Sequence, residues 1–193
     1  MADSLRFFLR FLHSPRAVGA LFPSSAALAR RMVEDVDFAP GRLLVEYGPG
    51  TGAFTAQIAS RLVPGMHYLG IERDPEFTRL LRQRYPQLKF HCGSVEDLPK
   101  VLAEHGLPRP DHIISGIPFA SIPTAVARRI LENTRATLRP GGTFATFQYC
   151  HAYPLPNARA LRQNMAELFG TRMHRSPCWR NIPPTFILRW NAP

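Results

Sequence analysis

The strongest constraint on this chain is a loop of seven residues, Glu46-Tyr47-Gly48-Pro49-Gly50-Thr51-Gly52, set between a short apolar run and an amphipathic segment. Its alternate glycines let the backbone turn sharply and approach a ligand closely, and the helix expected after it opens with unpaired N–H groups. Such a loop requires a strand before it and a helix behind it. The residues supply both, and then repeat the unit. Strands are predicted at Leu43–Val45, Tyr68–Ile71, Leu88–Phe90, His112–Ile114 and Thr143–Phe147. Helices are predicted at Phe54–Leu62, Pro75–Tyr85, Val95–Glu104, Pro123–Leu138 and Ala158–Phe169. Two last runs, Arg172–His174 and Phe186–Trp190, suggest a closing antiparallel hairpin. Strand–helix alternation of this kind argues for an α/β, doubly wound, Rossmann-like sheet.

The glycines are spaced G-x-G-x-G, whereas the dinucleotide fingerprint is G-x-G-x-x-G/A; Ala53 is small enough to keep that alternative open. The ATP/GTP pattern G-x-x-x-x-G-K-[ST] is missing, so a P-loop is excluded. Glu72 ends the second strand, followed by Arg73, and an acidic group at that place can take both hydroxyls of a ribose. Cys92-Gly93-Ser94-Val95-Glu96-Asp97 follows the third strand and Ser115-Gly116-Ile117-Pro118-Phe119 the fourth. Both lie at carboxyl ends of strands, where open α/β sheets bind ligands.

At these four stretches the sequence resembles the class I S-adenosylmethionine (SAM)-dependent methyltransferases, over about Arg42 to Tyr149. The resemblance implies that SAM is the cofactor and S-adenosylhomocysteine the product. It places Glu46 at the head of the motif and Gly48, Gly50 and Gly52 against the methionine part of SAM. Glu72, with Arg73 beside it, would hold the ribose, and Ser94 and Val95 would line the adenine. Ser94 stands where family members commonly carry Asp. Residues 1–40 are expected to form a helical membrane-binding or lid segment and residues 41–193 the methyltransferase domain.

Two subfamilies share these details. Val45 to Thr55 is similar to the V-L-E-I-G-P-G-x-G-x-L-T stretch of rRNA adenine N6-dimethyltransferases, but Ser115 stands where their N-[LI]-P-Y motif has its asparagine. Their helical RNA-binding domain also has no counterpart before Pro193. The bacterial phospholipid N-methyltransferases match more of the chain. Arg16 to Ser25 is similar to their P-[RK]-x-V-G-A-x-x-P-S-S, Ser115 to Phe119 to their S-G-L-P-[LF], and Arg180 to Pro184 to their R-N-[LV]-P-P. Phe147-Gln148-Tyr149 fits their F-x-Y. The expected activity is therefore methyl transfer to the amine of phosphatidylethanolamine, towards phosphatidylcholine, with an ornithine lipid or another amine lipid as the alternative acceptor. A nucleic-acid adenine methyltransferase and a non-catalytic membrane protein are the rival readings.

An amine acceptor must lose a proton, to water or to a nearby group such as Tyr149 or His151; Ser115 completes the expected catalytic set. Ile117, Pro118, Phe119, Tyr149, Arg180 and Asn181 are the expected acceptor contacts. Tyr149, Phe119 and Tyr47 can offer aromatic faces to a sulfonium or a methylated amine. Arg180 presents a permanently charged fork to a lipid phosphate.

Lys+Arg 24 against Asp+Glu 14 gives a formal charge of +10, which favours an anionic partner. Leu5, Phe8, Leu9 and Leu12 share one helical face while Arg6 and Arg10 share another, flanked by Phe7 and Phe11. A helix of that composition can lie in an anionic bilayer interface, so Arg6, Phe7, Phe8, Arg10 and Phe11 are the expected membrane contacts. Nucleic acid is not the expected partner. The expected location is the cytoplasmic side, bound peripherally to the cytoplasmic membrane. Three cysteines without CxxC or Cys/His zinc spacing give no reason to expect a disulfide framework or a metal. The sequence leaves the oligomeric state open.

Overall fold

The computed structural model describes residues 25–119 and 122–193. Its centre is β1 (Leu43–Tyr47), a run buried at every position, as a strand covered on both faces must be. Around it stand β2 (His67–Glu72), β3 (Lys89–Cys92), β4 (His112–Ser115), β5 (Thr143–Tyr149), β6 (His174–Cys178) and β7 (Thr185–Asn191). The sheet order is β3-β2-β1-β4-β5-β7-β6. β1 to β5 are parallel, while β7 runs antiparallel to both β5 and β6. From β1 the chain steps outward to β2 and β3, then crosses back to β4. That reversal opens a crevice between the carboxyl ends of β1 and β4. The α/β doubly wound sheet with a closing antiparallel hairpin is thus the observed fold.

Among the described residues six helices cover the sheet: α1 (Ala26–Met32), α2 (Ala53–Ala59), α3 (Pro75–Arg84), α4 (Leu98–Glu104), α5 (Thr124–Thr137) and α6 (Pro156–Phe169). The period-2 alternation of β1 divides the core. Leu43, Val45 and Tyr47 face the layer of α4, α5 and α6, while Leu44 faces that of α1, α2 and α3. Caps fix where helices begin. Ser25 accepts the Leu28 N–H at α1, and Asp74 accepts from Glu76 and Phe77 at α3, with Pro75 in the first turn. The helix expected over Leu5–Leu12 lies outside the described residues. α1 buries Leu28, Ala29 and Met32 in the core.

Two elements differ from the sequence expectation. The segment Val95–Glu104 is a 3-10 turn, Val95–Asp97, followed by α4, because Pro99 suits only the first turn of a new helix. The sixth strand is His174–Cys178 instead of Arg172–His174. Pro177 argues against a strand, yet β6 is the outermost strand, where a missing N–H is tolerated.

At the opposite edge from the crevice, the buried Asp111 carboxylate accepts the Leu43 N–H at 2.8 Å and pairs with Arg42 at 2.9 Å and with Arg139. It fixes the start of β1 against β4. Asp111→Ala leaves these donors facing a void and should cost about 3 kcal/mol of stability. An unaltered urea midpoint would contradict this role.

Candidate active site

The crevice holds a cavity of about 350 Å³ at the carboxyl ends of the parallel strands. Its floor is the glycine loop, with Gly48, Pro49, Gly50 and Thr51 on the cavity. Gly52 does not line it. Gly52 sits at φ +83° as the N-cap of α2, and a Cβ there would meet Leu81 at 3.0 Å. That position therefore holds the helix start against α3. The β4 side closes equally tightly, since a Cβ on Gly116 would lie 2.9 Å from the Gly48 carbonyl oxygen. These two contacts make the crevice narrow at its base.

Glu72 organises the other wall. Its carboxylate accepts the Gly50 N–H at 2.8 Å through Oε2 and the Asp74 N–H at 3.0 Å through Oε1. Each oxygen keeps a further lone-pair direction for a hydroxyl donor. Arg73, Asp74, Gly93, Ser94, Val95 and Glu96 continue this wall. Ser94 Oγ accepts the Glu96 N–H, and the Glu96 carboxylate is paired with Arg129 at 2.9 Å. Three carboxylates around one cavity, in a chain of charge +10, favour a cationic ligand there.

Glu46 lies beneath the loop, fully buried, and its Oε2 accepts the Thr55 and Tyr68 hydroxyls at 2.9 and 2.7 Å. Its Oε1 has no hydrogen-bond partner among the described residues. Burial raises this carboxyl to about 7, outweighing the two hydrogen bonds, and the nearby Glu72 adds to the rise.

The expected acceptor residues fall in different places. Ile117 and Pro118 line the cavity. Ser115 does not: it is buried behind them, its hydroxyl accepting the Ile117 N–H at 3.2 Å, so it shapes the loop and has no reach to a reacting atom. Phe119 packs inward at 6.4 Å from Phe144, and Tyr47 points into the α5 layer with its hydroxyl 2.9 Å from Thr134, so neither offers a face to the cavity. Tyr149 stands half-buried at the end of β5, between Phe147 at 5.8 Å and His151 at 5.6 Å. Phe147 in turn meets Phe54, which lines the cavity, at 6.2 Å. Burial raises the Tyr149 hydroxyl above its ordinary range, so it keeps its proton at neutral pH. Arg180 is exposed in the β6–β7 loop. Asn181 is buried there, its amide accepting from Ser25 N at 3.1 Å and donating to Pro183 O at 2.8 Å, so both polar ends serve the fold. Arg6, Phe7, Phe8, Arg10 and Phe11 lie outside the described residues.

Sequence reasoning missed Asp74, Phe77, Ile122, Val126 and Ile130 on the cavity. The last two come from α5, whose apolar periodicity reads only as core packing. Among the described residues, no cluster of His, Cys, Asp or Glu is disposed to hold a metal ion.

Residues 44–142 match the family described as a methyltransferase domain. The chain belongs to that family. It is a class I SAM-dependent methyltransferase, and SAM is its cofactor. The chain is 36% identical over 147 residues to an ornithine lipid N-methyltransferase of Singulisphaera acidiphila, covering 75% of this chain and 77% of that one. It is 29% identical to a ribosomal RNA small subunit methyltransferase A of Chlorobium phaeobacteroides, over 64% of this chain but only 44% of that protein. In fold it is similar to an O-methyltransferase from Bacillus cereus solved with S-adenosylhomocysteine, with a TM-score of 0.64 and 14% identity, over 98% of this chain and 90% of that one. The cavity suits such a cofactor: a close-fitting glycine floor, a carboxylate with free lone pairs, and acidic groups for a sulfonium and an ammonium.

Glu46 gives the methyltransferase a pH dependence. A carboxyl raised from 4.5 to about 7 binds its proton more readily in the folded chain than in the unfolded one. Its contribution is therefore full below the unfolded value and is lost as pH rises through the folded one. Glu46→Gln keeps an acceptor oxygen for Thr55 and Tyr68 without the charge. It should flatten the fall in urea midpoint between about pH 4.5 and 7. An unchanged slope would remove Glu46 as the group responsible.

Proposed function

We propose that this methyltransferase transfers methyl groups from SAM to the primary amine of a membrane lipid headgroup. The observation that carries the reading is the β4 side of the cavity. Gly116, Ile117, Pro118, Ile122, Val126 and Ile130 present no side-chain hydrogen-bonding group there, and the Ser115 hydroxyl behind them is already engaged. An adenine acceptor is read through hydrogen bonds to its base edge. Among the described residues this wall offers no side chain to read it with. A headgroup amine needs only a place in line with the methyl group and a route for its proton.

SAM, when bound, supplies a methyl group on a sulfonium. The chain's own residues do the positioning, which carries most of the rate in an in-line displacement. Glu72 holds the ribose hydroxyls while fixing Gly50 and Asp74. Ser94 and Val95 flank the base of the nucleoside. With the Tyr149 hydroxyl protonated, the amine releases its proton to water or to His151, which stands exposed beside it. The sequence motifs favour phosphatidylethanolamine as acceptor; the 36%-identical relative favours ornithine lipid. Both carry a primary amine, and that shared chemistry is the core of the reading. The acceptor and the cytoplasmic membrane surface as workplace belong to the same proposal; no helix among the described residues is long and apolar enough to cross a membrane.

Labelled SAM should place label in the lipid phase of vesicles containing phosphatidylethanolamine or ornithine lipid, and chromatography then identifies the acceptor and the number of methyl groups. Label confined to unmodified ribosomal RNA, supplied in parallel, would overturn the lipid reading.

A further inference from the structure

The antiparallel hairpin brings two loops to the edge of the sheet that carries the cavity. Thr185 at the start of β7 pairs with Tyr149 at the end of β5, and Cys178 at the end of β6 pairs with Thr185. The β6–β7 loop, 179–184, therefore lies beside the β5–α6 loop, 150–155, and the Cys150 N–H joins them by donating to Pro184 O at 2.8 Å. Among the described residues, three large apolar side chains stand exposed, and all three are in these loops: Leu155 at 53%, Trp179 at 66% and Ile182 at 76%.

The charge around them has one sign. From Tyr149 to Pro193 the chain carries six arginines and a single acidic residue, Glu167. Arg180 sits between Trp179 and Ile182. Arg175 lies over the Phe186 ring at 4.9 Å, and the Trp179 ring is 6.4 Å from that same ring. Among the described residues neither arginine has a carboxylate partner, so both charges remain available. An indole with an N–H at its rim, flanked by aliphatic groups and unpaired guanidinium groups, suits the headgroup layer of an anionic bilayer. The same loop holds Ser25, whose N–H donates to Asn181 Oδ1.

We propose that Trp179, Ile182 and Leu155, with Arg175 and Arg180, form a membrane-docking surface that seats the cavity edge on anionic lipid. It is distinct from the contacts expected of residues 1–24, and it rests on the lipid reading only in giving the surface its use. Docking there places headgroups beside the ends of β4 and β5, next to the cavity. The aromatic series Tyr149, Phe147 and Phe54 runs between the two.

The chain has two tryptophans, and Trp190 is 1% exposed. Trp190→Phe thus isolates Trp179; if that variant does not fold, the quenchable emission of the unaltered protein reports the same side chain. With vesicles of phosphatidylglycerol and brominated phosphatidylcholine, Trp179 emission should shift to the blue and be quenched by bromine, while vesicles of brominated phosphatidylcholine alone should leave it unchanged. Trp179→Glu with Ile182→Glu should weaken sedimentation with the anionic vesicles by about tenfold or more, with SAM affinity unaltered. Emission that stays red and acrylamide-quenchable while the protein sediments would overturn the docking surface, even if lipid is methylated. Emission already blue and shielded without vesicles would overturn it too, and would make residues 1–24 the occupant. Insertion of Trp179 without lipid methylation would uphold the surface and sink the acceptor assignment instead.

Discussion

The site depends on one carboxylate. Glu72 ends β2 and takes the N–H of Gly50 on one oxygen and of Asp74 on the other. It thereby ties the glycine loop after β1 to the loop that starts α3, across the gap between two strands. Each loop is also anchored on its own side, Gly48 by its N–H to Ile71 O and Asp74 by capping α3, and Glu72 joins the two. With Glu72 in place, the floor and one wall of the cavity are set before any ligand arrives. Pre-organisation of that sort lowers the ordering cost of binding. The opposite wall is held by the Gly116 N–H donating to Tyr47 O at 2.8 Å and by the close approach of Gly116 to the Gly48 carbonyl.

Electrostatics divide the molecule between cofactor and surface. Glu72, Asp74 and Glu96 gather around the cavity, although the chain as a whole is strongly basic. Arginine accumulates instead in the C-terminal hairpin and α6, where Arg162 and Arg175 lie over Tyr153 rather than against carboxylates. Acidic and basic groups thus occupy different parts of one sheet edge, which suits the cationic cofactor and the proposed anionic surface respectively. The hairpin makes this possible, because β6 runs to the cavity side and β7 starts there and runs away, which leaves the β6–β7 loop at that edge.

Much of this was legible in the residues. The strand-loop-helix grammar around Gly48, Gly50 and Gly52 placed the crevice, and Glu72 could be found by counting along to the end of the second strand. What stayed hidden depends on side-chain direction. Ser115 and Phe119 stand in a motif at the right strand end, yet one turns back to the Ile117 N–H and the other into the Phe144 core. Asn181 sits in the motif shared with phospholipid N-methyltransferases, but its amide is consumed in joining Ser25 to the β6–β7 loop. Motif position cannot tell a residue that meets a ligand from one that shapes the loop. The strand at His174–Cys178 was misplaced because Pro177 is a strand breaker everywhere except at an edge, and edge status is a property of the whole sheet.

The measurement that tests the account most directly is calorimetric SAM binding to the unaltered protein, Glu72→Ala and Glu72→Gln. Loss of the carboxylate removes the tie to Gly50 and, with Glu72 proposed to take the ribose hydroxyls, a charge-assisted contact to SAM, so affinity should fall by about thirtyfold or more for alanine. Glutamine keeps one acceptor and should fall in between. Equal affinity in all three proteins would contradict the role of Glu72 and, with it, the arrangement of the cavity described above.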